Sequence, residues 1–257
     1  MVVAGRAGAR LGDSGATSEQ DSGTTARAGR VSRQLLVEEL GALGEPRSEA
    51  AIRDALLAAY SWFDGVWCDE HCTPSALQTL EFAFATLGVT PPGEVLARTV
   101  EFFERLALDL APEVVPGVSV VLPQLASRYK LAIICDTGYA PATVLRELLL
   151  RNDLLDLFST TYFSNERGTS KPDARVFHCV CDELSTRPDE ALHVGDSQRT
   201  DIAGAQAAGM LAVHFLGAND RDAAVSTGDA LIRRFEELPI VLDTLVRATD
   251  SRPVRRS

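Results

Sequence analysis

From residue 131 to residue 216 short apolar runs alternate with amphipathic segments, and this rhythm restricts the fold more than any other feature of the chain. Leu131-Ala132-Ile133-Ile134-Cys135 has the composition of a buried strand, and a helix is predicted over residues 141–150. Thr160-Thr161-Tyr162-Phe163 reads as a second, weaker strand. A helix over 174–184 would place Phe177, Val180, Cys181 and Leu184 on one face. Residues 191–194 and 211–216 read as two further strands, joined by a small-residue helix over 201–208. Strand–helix alternation implies an α/β fold with a Rossmann-like parallel sheet covered by helices on both faces, because parallel neighbours need a crossover between them. Ligands bind such sheets at the carboxyl ends of the strands. Cys135, Asp196 and Asp201 all lie at or just past such ends.

Residues 31–110 follow a different period. Leu77, Leu80, Phe84 and Leu87 fall on one helical face, and Leu96, Val100, Phe103 and Leu106 on another. Gly88 and Pro91-Pro92-Gly93 punctuate them, so a small all-α unit is expected here. Residues 1–30 are Gly, Ala, Ser, Thr and Arg with almost no large apolar side chain after Val3. Such composition adds little to a core and predicts a disordered or loosely attached segment. The expected organisation is therefore 1–30 loose, 31–110 helical, 111–247 α/β and 248–257 a flexible tail.

The 257 residues suffice for one large or two modest domains. A net charge of −11 argues against a nucleic-acid or anionic-membrane surface, which needs a basic face. No apolar run reaches membrane-spanning length, and Met1-Val2-Val3-Ala4 is too short for a signal h-region. Five cysteines without a disulfide framework suit a reducing compartment, so a cytoplasmic location is expected. Cys68-Asp69-Glu70-His71-Cys72 invites a zinc reading, but no second ligand pair with finger-like spacing accompanies it. Cys179 and Cys181, two apart on a helix, point to different faces and read as packing residues.

Chemistry concentrates in Leu192-His193-Val194-Gly195-Asp196 and in Asp201, five residues on. Two carboxylates at a strand-to-helix turn suit a hard cation such as Mg²⁺, which takes oxygen ligands and few from the protein itself. The plainer alternative is that Asp196 ends a strand while Asp201 enjoys a helix dipole. Upstream, Gly168-Thr169-Ser170-Lys171-Pro172-Asp173 holds a Lys before a Pro, able to pair with a phosphate and offset developing negative charge. Its alternative is a solvated Lys at a helix start.

Three ordered segments together resemble the haloacid dehalogenase (HAD) superfamily, especially its phosphatase-like members with a helical cap. Leu131 to Gly138 is similar to the family's second motif, Ser170-Lys171-Pro172 to its third, and Gly195-Asp196 through Asp201 to its fourth. Pro116-Gly117-Val118 and the run Ala230 to Leu238 resemble segments flanking that core, and 31–110 has the size and place of the cap. The resemblance implies that an Asp ending the first, central strand attacks phosphorus to form an aspartyl-phosphate that water then hydrolyses. An acid two residues later would handle protons, and Mg²⁺ would neutralise phosphoryl charge. By the same resemblance Asp196 is the metal ligand and Asp201 a ligand or a support behind it. Lys171 holds phosphate and nucleophile. Cys135, Asp136 and Thr137 contribute to the phosphate cradle through backbone N–H groups and the Thr137 hydroxyl.

Two departures stand out. Cys135 occupies a place where the family carries Ser or Thr. A thiol donates poorly, and losing a hydrogen bond to a charged group costs about 1.5–3 kcal/mol, roughly ten- to hundredfold in rate. The first motif is the larger departure, since no apolar strand ending in Asp-x-Asp-x-Thr occurs in residues 1–50 and the first central strand is not evident. Asp21-Ser22-Gly23-Thr24-Thr25 keeps an Asp and a Thr four later, with Gly23 at the acid position; Asp13-Ser14-Gly15-Ala16-Thr17 does the same with Gly15. Asp21 is the candidate nucleophile, with Asp13 behind it. A wrong start or shifted frame upstream is an expectation that the coding DNA can test. The function implied is a Mg²⁺-dependent phosphatase acting on a small phosphorylated metabolite. The alternative is a catalytically inactive HAD-like protein that binds a phospho-ligand. A 2-haloacid dehalogenase is the weaker reading, because Asp196 with Asp201 reads as a metal pair and dehalogenation calls for no metal.

Overall fold

The computed structural model describes residues 2–3 and 19–250. Its sheet has six strands, all paired in parallel. In chain order these are β1 (Val2–Val3), β2 (Ala132–Cys135), β3 (Thr160–Phe163), β4 (Leu192–Gly195), β5 (Leu211–Phe215) and β6 (Ala230–Ile232). Their spatial order is β3-β2-β1-β4-β5-β6. The central strand, not evident in the sequence pattern, is thus Val2–Val3. It pairs through Val2 with Ala132 and His193, and through Val3 with Ile133 and Val194. Two residues are too few to show any period, which is why the pattern conceals them.

Helices α1 (Glu19–Ala42), α2 (Glu49–Glu70), α3 (Ala76–Thr86) and α4 (Gly93–Leu110) precede the rest of the α/β part. They share a core of Leu36, Leu40, Ile52, Leu80, Phe84 and Phe103. Ser48 caps α2 by accepting the Ala51 N–H, and Ser75 with Gln78 forms a reciprocal capping box on α3. The expected α3 face is corrected at Leu77, which is exposed, whereas Ala76, Thr79, Leu80, Ala83 and Phe84 are buried. Helix α1 begins at Glu19, so part of the segment expected to be loose is helical, with Ala28 buried.

The remaining helices are α5 (Val118–Ala126), α6 (Ala142–Arg151), α7 (Ser164–Arg167), α8 (Ala174–Leu184), α9 (Ala203–Ala207) and α10 (Leu238–Asp250). Helix α10 runs past residue 247, into the expected tail. One face of the sheet packs on α8 and α9 through Phe177, Val180, Ile202 and Ala205. The other packs on α5 and α10 through Leu122, Leu125, Val213, Leu238 and Leu242. Helix α8 has the predicted bounds, and all four residues expected on its apolar face are buried. Between β4 and α9 the chain makes a π-helical turn, Gln198–Ile202, where an α-helix from 201 was expected. No helix among the described residues is long and apolar enough to cross a membrane.

Candidate active site at the carboxyl edge of the sheet

Strands β2 and β4 flank β1 and deliver their following residues, Asp136 and Asp196, to the same edge of the sheet. Lys171 arrives from the loop after α7, its bond to Pro172 cis. The Lys171 ammonium is buried and lies 2.7 Å from Asp201 Oδ1 and 4.0 Å from Asp136 Oδ2. Burial alone would drain its proton, but the carboxylates of Asp201 and Asp136 outweigh that and hold its pKa above the ordinary lysine value.

Asp201 is the hub. Its Oδ1 accepts from Lys171 and from His193 Nε2 at 3.0 Å, and its Oδ2 accepts the Ser197 N–H at 3.1 Å. Burial works to raise its pKa, yet the Lys171 ammonium and the His193 hydrogen bond hold it well below the usual carboxylate range. His193, fully buried in β4, is pushed down by burial and stays neutral, so it donates Nε2–H to the carboxylate. The π-helical turn closes this arrangement: the Asp201 and Ile202 N–H groups both donate to the Ser197 carbonyl, at 2.9 and 3.1 Å. Gly195 is required here, because a Cβ at that position would sit 2.3 Å from Asp201 Cγ.

Of the two carboxylates in the expected metal pair, Asp201 already accepts from three donors. Asp196, almost wholly buried, lines the cavity above the sheet edge. No group of three His, Cys, Asp or Glu side chains able to hold a metal occurs among the described residues. The oxygen donor set still fits Mg²⁺, which takes one or two carboxylates and completes its shell with water and substrate phosphate.

Asp136 points its Oδ1 at the Lys171 N–H, 3.0 Å away. Burial raises its pKa, against the opposing pull of the Lys171 ammonium, its backbone N–H and the Trp67 indole. Cys135 is buried at the end of β2, its Sγ 3.6 Å from the Asp136 carbonyl. Thr137, expected in the phosphate cradle, meets Ser164. Its N–H donates to Ser164 Oγ at 2.9 Å and its hydroxyl lies 3.2 Å from the same atom, so both groups are engaged within the protein. Asp21 falls in the opening turn of α1, not directly after β1, and Asp13 lies outside the described residues. In sequence Val3 is followed by Ala4-Gly5-Arg6-Ala7-Gly8, and the first carboxylate after the strand is Asp13.

Three contributors were not singled out from sequence. Ser164, directly after β3, also meets Thr73 Oγ1 of the helical bundle at 2.7 Å. His193 lay within the quoted motif but carried no assigned role. Trp67 of α2 reaches the site from the bundle, with the Arg199 guanidinium stacked on its ring at 4.6 Å. Ser164 was detectable as a polar residue ending an apolar strand; Trp67 gave no signal, because only the packing of the bundle aims it. The Ser170 N–H donates to the His71 carbonyl at 2.8 Å, a further link between bundle and sheet edge.

Residues 59–215 match the model of the haloacid dehalogenase-like hydrolase family. A ribulose-1,5-bisphosphate 5-phosphatase of Halopiger xanaduensis is 30% identical over 164 residues, 63% of this chain and 66% of that one. A phosphoserine phosphatase of Thermus thermophilus is 38% identical over 112 residues, 44% and 43% of the two chains. The chain thus spans between about two-fifths and two-thirds of these relatives' lengths. Among solved structures, a 2-haloacid dehalogenase from Pseudomonas syringae superposes with a TM-score of 0.65 at 23% identity, covering 95% of this chain and 98% of that one. A HAD phosphatase from Thermococcus onnurineus gives 0.60 at 24% identity, covering 94% and 96%. With its six-stranded parallel sheet, its buried Lys171–Asp201 pair and a family match over more than half its length, the chain belongs to the haloacid dehalogenase-like hydrolases.

Proposed function

We propose that the protein is a Mg²⁺-assisted hydrolase of small phosphomonoesters, with helices α1 to α4 as the cap over the site. The observation that carries this reading is one ammonium, Lys171, set among Asp136, Asp196 and Asp201 at the carboxyl edge of the sheet. The carboxylates of Asp196 and Asp201 against one lysine would repel a phosphate dianion by themselves. Asp196 would hold a divalent cation there, which would reverse that balance and supply charge neutralisation for phosphoryl transfer. Lys171 then holds a phosphate oxygen, while Asp201 and His193 fix the ammonium's position. Asp136, whose proton is retained above the usual carboxylate pH, can hold a proton beside the leaving oxygen. The phosphatases among the relatives support the same reaction class.

A second reading, phospho-ligand binding without turnover, is favoured by the sequence after β1, where Ala4-Gly5-Arg6 offers no attacking carboxylate. Hydrolysis of an aryl phosphate with and without Mg²⁺ separates the two. Metal-dependent turnover that disappears in Asp21→Asn supports the hydrolase with Asp21 as attacker. Saturable phosphate binding without turnover supports the second reading. Neither turnover nor binding removes both.

A further inference from the structure

Above Lys171 lies a cavity of about 500 Å³ whose far wall belongs to the helical bundle. Helix α2 contributes Tyr60, Phe63, Asp64 and Trp67, the i, i+3, i+4, i+7 face of one helix. Helix α4 adds Phe103 and Leu106. Tyr139, from the loop after β2, packs on Phe103 with ring centroids 5.2 Å apart, and its buried hydroxyl is pushed above the usual phenol pKa by desolvation. Sequence pattern marked none of these residues as substrate readers, since they share the helical period of ordinary core residues.

The charges on this wall are one-sided. Among the described residues lining the cavity, Lys171 is the sole cation, and it is committed to the phosphate end. The bundle side offers one charged group, the half-buried Asp64, and the loop after α4 adds Glu113. Arg199 stands on the Trp67 ring but outside the lining, so a second anionic group on a substrate would leave water for a wall with no cation among its described lining residues and carboxylates nearby. An aromatic or alkyl group would instead bury apolar surface against Phe63, Trp67, Phe103 and Leu106.

We infer that this cavity selects phosphomonoesters whose organic part is uncharged and largely apolar, and rejects those carrying a carboxylate or a second phosphate. The inference rests on the phosphomonoester reading above. It would separate this chain from substrates such as phosphoserine or a sugar bisphosphate, which bring a second anion.

The test uses the wild-type chain with Mg²⁺ and titration calorimetry, so it does not depend on turnover. Inorganic phosphate reports the phosphate end, while benzylphosphonate, phosphonoacetate and 2-aminoethylphosphonate report the wall. Benzylphosphonate is expected to bind tighter than phosphonoacetate by about tenfold or more, roughly 1.4 kcal/mol. Asp64→Lys should narrow that ratio by admitting phosphonoacetate. If phosphate binds but phosphonoacetate equals or exceeds benzylphosphonate, the selectivity is overturned while the phosphate site stands. Tightest binding of the aminoethyl compound overturns it as well, pointing to a cationic substrate. Absence of any Mg²⁺-dependent phosphate binding overturns the phosphomonoester reading and this inference with it.

Discussion

At the carboxyl end of β4 the chain turns through Gly195 into a network in which every polar atom of Asp201 has a partner. At the end of β1, the next strand in the sheet, two valines lead into Ala4-Gly5-Arg6. The two strands end at the same edge of the sheet, yet in sequence only β4 is followed at once by a carboxylate. The comparison teaches that holding a phosphate and attacking it are separable tasks. The first needs fixed charge, which under the proposed function β4 and the Lys171 loop would supply through mutual burial. The second needs one carboxylate at one position, and the packing of the other strands does not create it.

The largest effect should come from breaking the β4 end. Asp201→Ala leaves the buried Lys171 ammonium without its closest partner, and removing one member of such a pair costs about 3–5 kcal/mol. A fall of that size in urea-denaturation stability, with loss of phosphate binding, is expected. A change under about 1 kcal/mol would mean that Lys171 reaches solvent, and the β4 end would be no more organised than the β1 end. Gly195→Ala is expected to cost about 1–3 kcal/mol by overpacking, since its Cβ meets the Asp201 side chain. Its diagnostic readout is weakened phosphate affinity exceeding the loss in stability, because the clash displaces the residue that positions Lys171.

The same network sets a pH signature. Asp201 is held below the usual carboxylate range, so its contribution is complete above the unfolded carboxylate value of about 3.9 and is lost as pH falls from there toward its folded value. His193 is depressed too, so the unfolded chain takes up a proton first and stability begins to fall below about pH 6.5. Asp136 has the opposite sign. Its raised pKa means the folded state keeps a proton that the unfolded chain loses, so stability declines as pH rises from about 4 through the raised value. Asp136→Asn, which keeps an acceptor for the Lys171 N–H, should therefore be more stable than the parent at neutral pH and equal to it in acid. Equal denaturation midpoints at neutral pH would show that Lys171 already offsets the burial of the Asp136 charge.

How much of this was legible follows the same division. Strands β2 to β5 announced themselves as apolar runs, because a strand buried on both faces has little freedom in composition. Strand β6 did not: Ala230-Leu231-Ile232 pairs on one side only, exposes Leu231, and reads within a longer amphipathic run. The places of Asp136, Asp196 and Asp201 were legible because each follows an apolar run closely in sequence, whereas Lys171 stood out only by its place before Pro172. The roles of Ser164 and His193 were not, since each is defined by a partner elsewhere: Ser164 by Thr137 and Thr73, His193 by a carboxylate across the π-helical turn. Strand β1 was hidden because two residues show no period, and the start of α1 by a polar composition that tertiary context overrides.

The smallest effect belongs to the contact that joins the site to the bundle. Arg199 sits in the π-helical turn, two residues before Asp201, and its guanidinium lies 4.6 Å from the Trp67 ring centroid. A partly exposed cation–π contact contributes about 0.5–1 kcal/mol, so Arg199→Ala should lower stability by no more than that. Its value lies in direction. Trp67 stands beside Asp136 and lines the cavity, so loosening it should weaken benzylphosphonate more than inorganic phosphate. Equal weakening of both ligands would place the effect in the β4 network instead, making Arg199 part of the phosphate-holding end rather than the link to the wall above it.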